Sequence, residues 1–282
     1  MQHIIKSLAG AAMTLALAAP AMAQSDMGDK VDWTGPYVGG ALGYSWQPKD
    51  NDETIRFDTD GDGRFDNVVT TAAGANAFSP GFCGGAAHSN VPATGCRDDK
   101  DGTTWSVHAG YDKQFGNIVA GLVVEGGKTA IRNSVSGYST TPASYTMTRS
   151  LDWNAGVRAR LGYTTNSGTL IYATGGGAYG KVKNRFSTTN TFNTFTQTNS
   201  KDDAWGWTAG GGIEQKVSKN FSVGVLYKYT RLDSDGYTVN AGQGTPASTT
   251  NPFVITPAGS TDFNRYSTFD NHSVMATASF RF

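Results

Sequence analysis

The chain has no net charge: 23 Lys and Arg residues balance 23 Asp and Glu. It offers a polyanion no electrostatic footprint, so nucleic acid is not an expected partner. Beyond its first residues it also lacks long apolar runs. A transmembrane helix needs about 20 consecutive apolar residues, and hydrophobic residues make up only 38% of the chain, which excludes a helical membrane protein. Histidine is scarce, with four residues, and cysteine scarcer, with two. What abounds is glycine, 36 residues, and aromatic residues at 11%, while charged residues reach only 16%. That balance suits many strands joined by turns and loops.

The first residues are a separate device. Lys6 supplies a positive start, residues 8–19 an apolar core, and Ala21-Met22-Ala23 a small-residue cleavage site. Residues 1–23 therefore read as a signal peptide, with a mature chain from Gln24 and one domain over residues 24–282. An uncleaved anchor helix is the alternative, disfavoured by the short core. Export places the chain where disulfides persist.

The most informative stretch is residues 151–163. Leu151, Trp153, Ala155, Val157, Ala159, Leu161 and Tyr163 alternate with Asp152, Asn154, Gly156, Arg158, Arg160 and Gly162. The period is two, so this is a strand with one greasy and one polar face. Its length exceeds the about 5–6 residues usual in a soluble sheet and matches the about 9–11 of a tilted strand crossing a bilayer. Aromatic rings near both ends fit interfacial girdles.

The same pattern recurs at residues 33–46, 103–115, 118–128, 169–182, 204–217, 221–230 and 270–282. Three short turns, at residues 116–117, 164–168 and 218–220, alternate with four long polar connections, at residues 48–102, 129–146, 183–203 and 231–266. The expected fold is therefore all-β: an eight-stranded antiparallel up-and-down transmembrane β-barrel with short periplasmic turns and long, irregular extracellular loops. Inward glycines, such as Gly39 and Gly43, leave room for bulkier side chains from neighbouring strands.

Several runs resemble a known family. Trp153-x-x-x-Val-Arg-Ala-Arg-Leu-Gly-Tyr163, followed by Ile171-Tyr-Ala-Thr-Gly-Gly-x-Ala-Tyr-Gly180, is similar to small alphaproteobacterial outer-membrane β-barrel proteins of the porin family, related to opacity proteins and the OmpA transmembrane domain. The runs beginning at Trp33 and at Ala109 match the same pattern. So does the C-terminal Ser279-Phe-Arg-Phe282, which resembles the signal read by the barrel-insertion machinery through Phe280 and Phe282. The resemblance spans all eight strands and none of the loops. It implies residence in the cell outer membrane among lipid and lipopolysaccharide, a structural or surface role, and no catalytic residues. Leu226 departs from it, sitting where an inward acidic residue is common, and the first loop is unusually long.

Strand parity sends Asp112, Glu125, Asp152, Arg158, Arg160, Glu214, Lys216, Lys228 and Arg281 into the lumen. An Arg facing lipid at mid-depth costs about 2–4 kcal/mol, so Arg158 and Arg160 on one strand nearly fix its facing. Such charges must pair or be hydrated, and an eight-stranded lumen is barely wide enough for its own side chains. A salt-bridged plug is therefore expected over a conducting pore. In the first loop, Asp58, Asp60, Asp62 and Asp66 fall at positions 1, 3, 5 and 9 of a calcium-type loop, with Gly63 at position 6. Position 12 is Val69 where a bidentate Glu is usual, with Asp50, Asp52 or Glu53 as substitutes. The reading is a weak calcium site, against a merely solvated acidic loop; no other cofactor is expected. Cys83 and Cys96 share that loop and are expected to form a disulfide.

His272 and Ser273 are adjacent near the outer end of the last strand. Outer-membrane lipid hydrolases and acyltransferases place a nucleophile and base near the rim, but neighbours on a strand point to opposite faces, so no enzyme is expected. His108 is expected inward. Aromatic residues are expected at an outer rim (Trp46, Trp105, Trp153, Tyr179, Trp205, Trp207, Tyr229) and an inner rim (Tyr37, Phe115, Tyr163, Phe221, Phe280, Phe282). The expected function is that of an envelope surface protein. A small-solute porin and an adhesin acting through its loops are the alternatives, and the loop partner is not legible.

Overall fold

A computed structural model describes residues 31–48, 53–234, 236–265 and 268–282. The signal segment, Gln24, Asp50 and Asp52 lie outside the described residues. Sixteen strands run in chain order: β1 (Gly35–Trp46), β2 (Arg56–Asp58), β3 (Gly81–Gly84), β4 (Ala86–Ala87), β5 (Cys96–Arg97), β6 (Gly102–Phe115), β7 (Ile118–Thr129), β8 (Arg132–Ser139), β9 (Ala143–Thr164), β10 (Thr169–Thr188), β11 (Thr194–Gln197), β12 (Lys201–Lys216), β13 (Phe221–Asp233), β14 (Thr238–Gly242), β15 (Thr261–Asn264) and β16 (Phe269–Arg281).

Eight of them, β1, β6, β7, β9, β10, β12, β13 and β16, pair antiparallel in a ring that closes where β9 meets β10 and where β16 meets β1. No edge is left open, which is what a sheet in hydrocarbon requires. The alternation read from the sequence is the wall itself. Leu42, Val107, Leu122, Val157, Leu161 and Ile171 are all exposed on the outside, Leu42 by 65% and Leu161 by 61%. Bare aliphatic side chains in a continuous belt are a defect in water and the expected surface in lipid.

The long connections are not irregular. β9 has 22 residues and β10 has 20, twice what the bilayer needs, so both climb out of the membrane as a tall ribbon. β8 folds back onto β9, and β3 onto β8. A second sheet, in the order β11-β14-β15-β2, gathers segments of the first, third and fourth connections. Between these layers lies an apolar core of Ile55, Phe57, Val69, Phe78, Val135, Tyr145, Met147, Tyr237, Val239, Phe253 and Phe263. Phe263 is fully buried and meets Phe57 edge-on at 5.0 Å. The expectation of irregular loops is thus corrected: the connections fold together into one extracellular cap.

One parity assignment also changes. The β9–β10 register slips between Lys181 and Val182, so that Lys181 faces Trp153 and Val182 faces Leu151. Asp152 is the extra residue of a β-bulge, which flips the facing of everything beyond it. Leu151, expected outside, is buried with Val182, Leu232, Phe269 and Ile131 across the upper mouth of the lumen. Asp152, expected in the lumen, lies outside and pairs with Lys183 at 2.8 Å.

Candidate functional site: a charged lumen under a folded cap

The lumen carries two ionic clusters, one above the other. In the lower, Arg160 of β9 binds Asp112 of β6 through Nε at 3.1 Å and Nη2 at 2.5 Å, and Glu214 of β12 through Nη1 at 2.7 Å. Arg281 of β16 reaches the same Asp112 at 2.7 Å. In the upper, Glu125 of β7 accepts from Arg158 at 2.9 Å and Lys228 at 2.5 Å, while Arg158 also donates to Thr174 Oγ1 at 2.9 Å. Lys228 and Glu125 come from strands on opposite sides of the ring and span the bore; Arg160 and Arg281 each reach a carboxylate two strands away, and Arg158 reaches Glu125 on the strand next to its own.

Aromatic side chains fill the gaps. The Arg160 guanidinium lies 5.1 Å from the Tyr37 ring and 4.7 Å from the Tyr172 ring; that of Arg281 is 4.6 Å from Tyr37 and 5.3 Å from Trp33. These are cation–π distances. Small residues opposite make the space: a Cβ on Gly110 would fall 2.5 Å from the Tyr37 ring, and one on Gly121 would fall 2.0 Å from the Asp112 carboxylate. Tyr37 is therefore a lumen residue, 2% exposed, and not part of the inner girdle. Phe115, Tyr163, Phe221, Phe280 and Phe282 are exposed on the outside at that end.

Trp33 stoppers the periplasmic mouth. It is fully buried, donates from Nε1 to Thr164 Oγ1 at 2.8 Å, and carries the Lys216 ammonium 5.4 Å above its ring. Its carbonyl accepts from Arg281 at 2.5 Å. Lys216 also donates to the carbonyls of Asp32 and Lys219. Sequence reading missed Trp33 and Tyr172 as lumen closers. The inward parity of Tyr37 was the available signal for the aromatic filling, and Trp33, four residues earlier in the expected strand 33–46, shares that parity.

The other candidates fall in the cap and at the rim. Asp58, Asp60 and Asp62 come together, each with a carboxylate oxygen within 4.8 Å of the others. Asp66 is not among them. Asp58 accepts backbone N–H bonds from Gly61 at 2.7 Å and Gly63 at 2.8 Å. Its carboxyl is held below its ordinary value: burial pushes it up, and those N–H groups outweigh the push. Val69 is buried in the cap core, and Glu53 is engaged by Arg265 at 2.6 Å, so neither serves as a twelfth-position ligand. Cys83 and Cys96 are joined in a disulfide, their Cα atoms 6.2 Å apart, tying β3 to β5. His108 faces inward and bonds Ser279 Oγ at 2.9 Å. His272 lies outside, stacked on Trp46 at 5.5 Å, while Ser273 lies inside, bonded to Ser45 at 2.7 Å. The wall separates them, which excludes mutual activation.

At the seam between barrel and cap, Arg265 is 1% exposed and binds Glu53 and the carbonyls of Asn133 and Met147, each at 3.1 Å for the carbonyls. Asp99 accepts from the Ser134 N–H at 2.7 Å and the Asn133 amide at 2.9 Å. This ionic knot joins the first connection, β8, β9 and the fourth connection.

Two relatives are named as outer-membrane proteins. The "31 kDa outer-membrane immunogenic protein" of Brucella melitensis is 29% identical over 236 residues, covering 81% of this chain and 86% of that protein. The "22 kDa outer membrane protein" of Rhizobium leguminosarum is 30% identical over 168 residues, 60% of this chain and 71% of that protein. Among solved structures, the outer membrane protein OprG from Pseudomonas aeruginosa aligns over 88% of this chain and 96% of its own, at 13% identity and a TM-score of 0.45. The family of the outer membrane protein beta-barrel domain matches residues 9–282, and the chain, an eight-stranded barrel of the bacterial outer membrane, belongs to it.

Proposed function

We propose that this protein is a non-conducting, non-enzymatic surface component of the outer membrane, a closed barrel that carries a folded cap. The observation that supports this reading is closure at three levels: Trp33 at the periplasmic mouth, the Arg160–Asp112–Glu214 and Arg158–Glu125–Lys228 clusters across the bore, and Leu151, Leu232 and Phe269 at the upper mouth. An eight-stranded barrel leaves little beyond side-chain volume, and here charged and aromatic groups occupy it. Planar-bilayer recording of the refolded protein is expected to give no stable single-channel steps. Reproducible steps would establish the porin alternative instead.

A second reading favours attachment to a surface or host molecule through the cap. Its support is that the loops form one shared core rather than independent tethers, a cost in sequence that a bare anchor does not need. The Brucella relative is named immunogenic, which accords with surface display. Deleting residues 48–102 would remove Ile55, Phe57, Val69 and Phe78 and unravel the cap as a whole. Grafting the intact cap connections onto another barrel and measuring surface attachment is the cleaner assay. The C-terminal Phe280 and Phe282, exposed at the inner rim, are the segment we assign to the insertion machinery. For the Asp58, Asp60 and Asp62 group the reading is a weak calcium site; calorimetry showing no heat with millimolar calcium removes it.

A further inference from the structure

On the outer face of the barrel, just above the aromatic belt, one line of cross-strand neighbours is almost entirely cationic. Lys183 of β10 stands directly opposite Lys201 of β12 and, on its other side, opposite Ser150 of β9. Ser150 in turn stands opposite Arg132 of β8. Arg132 bridges to Lys100, each backbone N–H donating to the other's carbonyl at 2.9 Å. The line thus reads Lys100, Arg132, Ser150, Lys183, Lys201, and its four cations are all exposed.

Residues directly opposite on a sheet have Cβ atoms about 4.5–5.5 Å apart, and like charges there are destabilising. This line holds two such pairs, Lys183 with Lys201 and Lys100 with Arg132. Asp152, turned outward by the bulge, reaches Lys183 at 2.8 Å. Among the described residues, no carboxylate lies within ion-pair distance of Lys100, Arg132 or Lys201. A row that repels itself and has, among the described residues, Asp152 as its one paired carboxylate is complementary to an anion from outside.

Its height says where that anion sits. Below it, Trp153, Tyr179 and Trp205 form a run of ring contacts at 5.1 Å and 4.8 Å, the belt that marks the outer edge of the hydrocarbon. Lys183 follows Tyr179 by four residues, about 13 Å along the strand at about 3.3 Å per residue, or some 10 Å higher allowing for a tilt of about 40°. That is the headgroup layer of the outer leaflet.

We propose that this line is a binding site for the phosphorylated headgroup of an outer-leaflet glycolipid, Lys100, Arg132, Lys183 and Lys201 holding the phosphate groups while the acyl chains lie on the Trp153–Tyr179–Trp205 belt. Arg132 contributes the planar donor fork that suits phosphate, and the Ser150 hydroxyl lies between the flanking cations. The site does not depend on whether the lumen conducts.

The protein refolded in detergent is titrated with lipopolysaccharide, with the same lipopolysaccharide stripped of its phosphates, and with inorganic phosphate, and its thermal unfolding is followed by gel mobility. Intact lipopolysaccharide is expected to raise the unfolding midpoint, and the dephosphorylated lipid and inorganic phosphate to do so at least tenfold less effectively. The triple variant Arg132→Gln, Lys183→Gln, Lys201→Gln is expected to need at least tenfold more intact lipid for the same shift, whereas Lys113→Gln, on the outer wall near the periplasmic end, changes nothing. Equal stabilisation by the dephosphorylated lipid, or a full effect from inorganic phosphate, overturns the proposal using the unaltered protein alone, even where the triple variant fails to fold. A folded triple variant with unchanged response overturns it as well.

Discussion

The barrel and its cap are built on opposite plans. The barrel is apolar outside and ionic within; Leu42 and Leu161 look out while Arg160, Asp112 and Glu214 are almost wholly buried. The cap is polar outside and apolar within, with Phe57, Phe78 and Phe263 packed ring against ring. One chain serves two solvents, and the sign of each interior follows from its surroundings. In lipid, hydrophobic burial drives nothing, so the interior is organised by pairing that offsets desolvation of several kcal/mol per ion. In water, removing apolar area at about 25 cal/mol per Å² does the work. The contrast implies that the two regions fail in different ways.

The largest effect is expected at Asp112, which receives both Arg160 and Arg281. Breaking a buried pair costs about 3–5 kcal/mol, and Asp112→Ala removes the carboxylate shared by two guanidiniums, leaving Arg160 with Glu214 and Arg281 with the Trp33 and Gly35 carbonyls, so a loss of about 4–5 kcal/mol is expected in urea unfolding of the micelle-bound barrel. A loss below 1 kcal/mol would mean that the lumen charges are hydrated and hold nothing together. Next comes Phe263→Ala in the cap, at about 3–4 kcal/mol. Protease is expected to cut the cap connections while the heat-modifiable mobility of the barrel stays unchanged. If the barrel unfolded with it, the two regions would be one cooperative unit and the comparison would fail. Smaller again is replacement of both cysteines by serine. Opening a bridge across a separation of 13 residues removes about 2–3 kcal/mol of loop-closure restraint. Faster amide exchange is expected at residues 81–97, with no change at Phe263.

The same contrast explains what could be read from the sequence. Lipid on one side and a narrow bore on the other force period two along every spanning strand, so Val157, Arg158, Ala159, Arg160 and Leu161 declare their facing one by one. Inside the cap, no single segment carries such a pattern. Its core draws Phe57 from a three-residue strand, Tyr237 and Val239 from near another and Phe263 from a third, far apart in sequence. Each run is too short to show a period, and only their non-local pairing reveals the core. The bulge at Asp152 was hidden for a related reason. An extra residue in a strand leaves the residue types unchanged and alters only where they point, so parity counted from Arg158 gave the wrong side.

The subtlest difference lies at the seam, where the cap holds an ionic knot of its own. Burial pushes the Asp99 carboxyl up to about 6; the nearby Glu53 charge adds to this, while the Ser134 N–H, Arg265 and the Asn133 amide oppose it. The folded value therefore exceeds the unfolded one of about 4, so the native cap binds this proton more tightly than the unfolded chain does. Its contribution is then fully present below pH 4 and is lost as pH rises through 6. Discounted for partial solvent screening, the change is of order 1–2 kcal/mol. Amide protection at residues 96–101 and at Asn133 and Ser134, extrapolated to opening free energies, is expected to fall between pH 4 and pH 6 and to level off above. Asp99→Asn is expected to flatten that slope. A slope of the opposite sign in the cap would mean that Arg265 commands both Glu53 and Asp99, making the seam an ion-pair network like those in the bore and erasing the distinction between the two interiors.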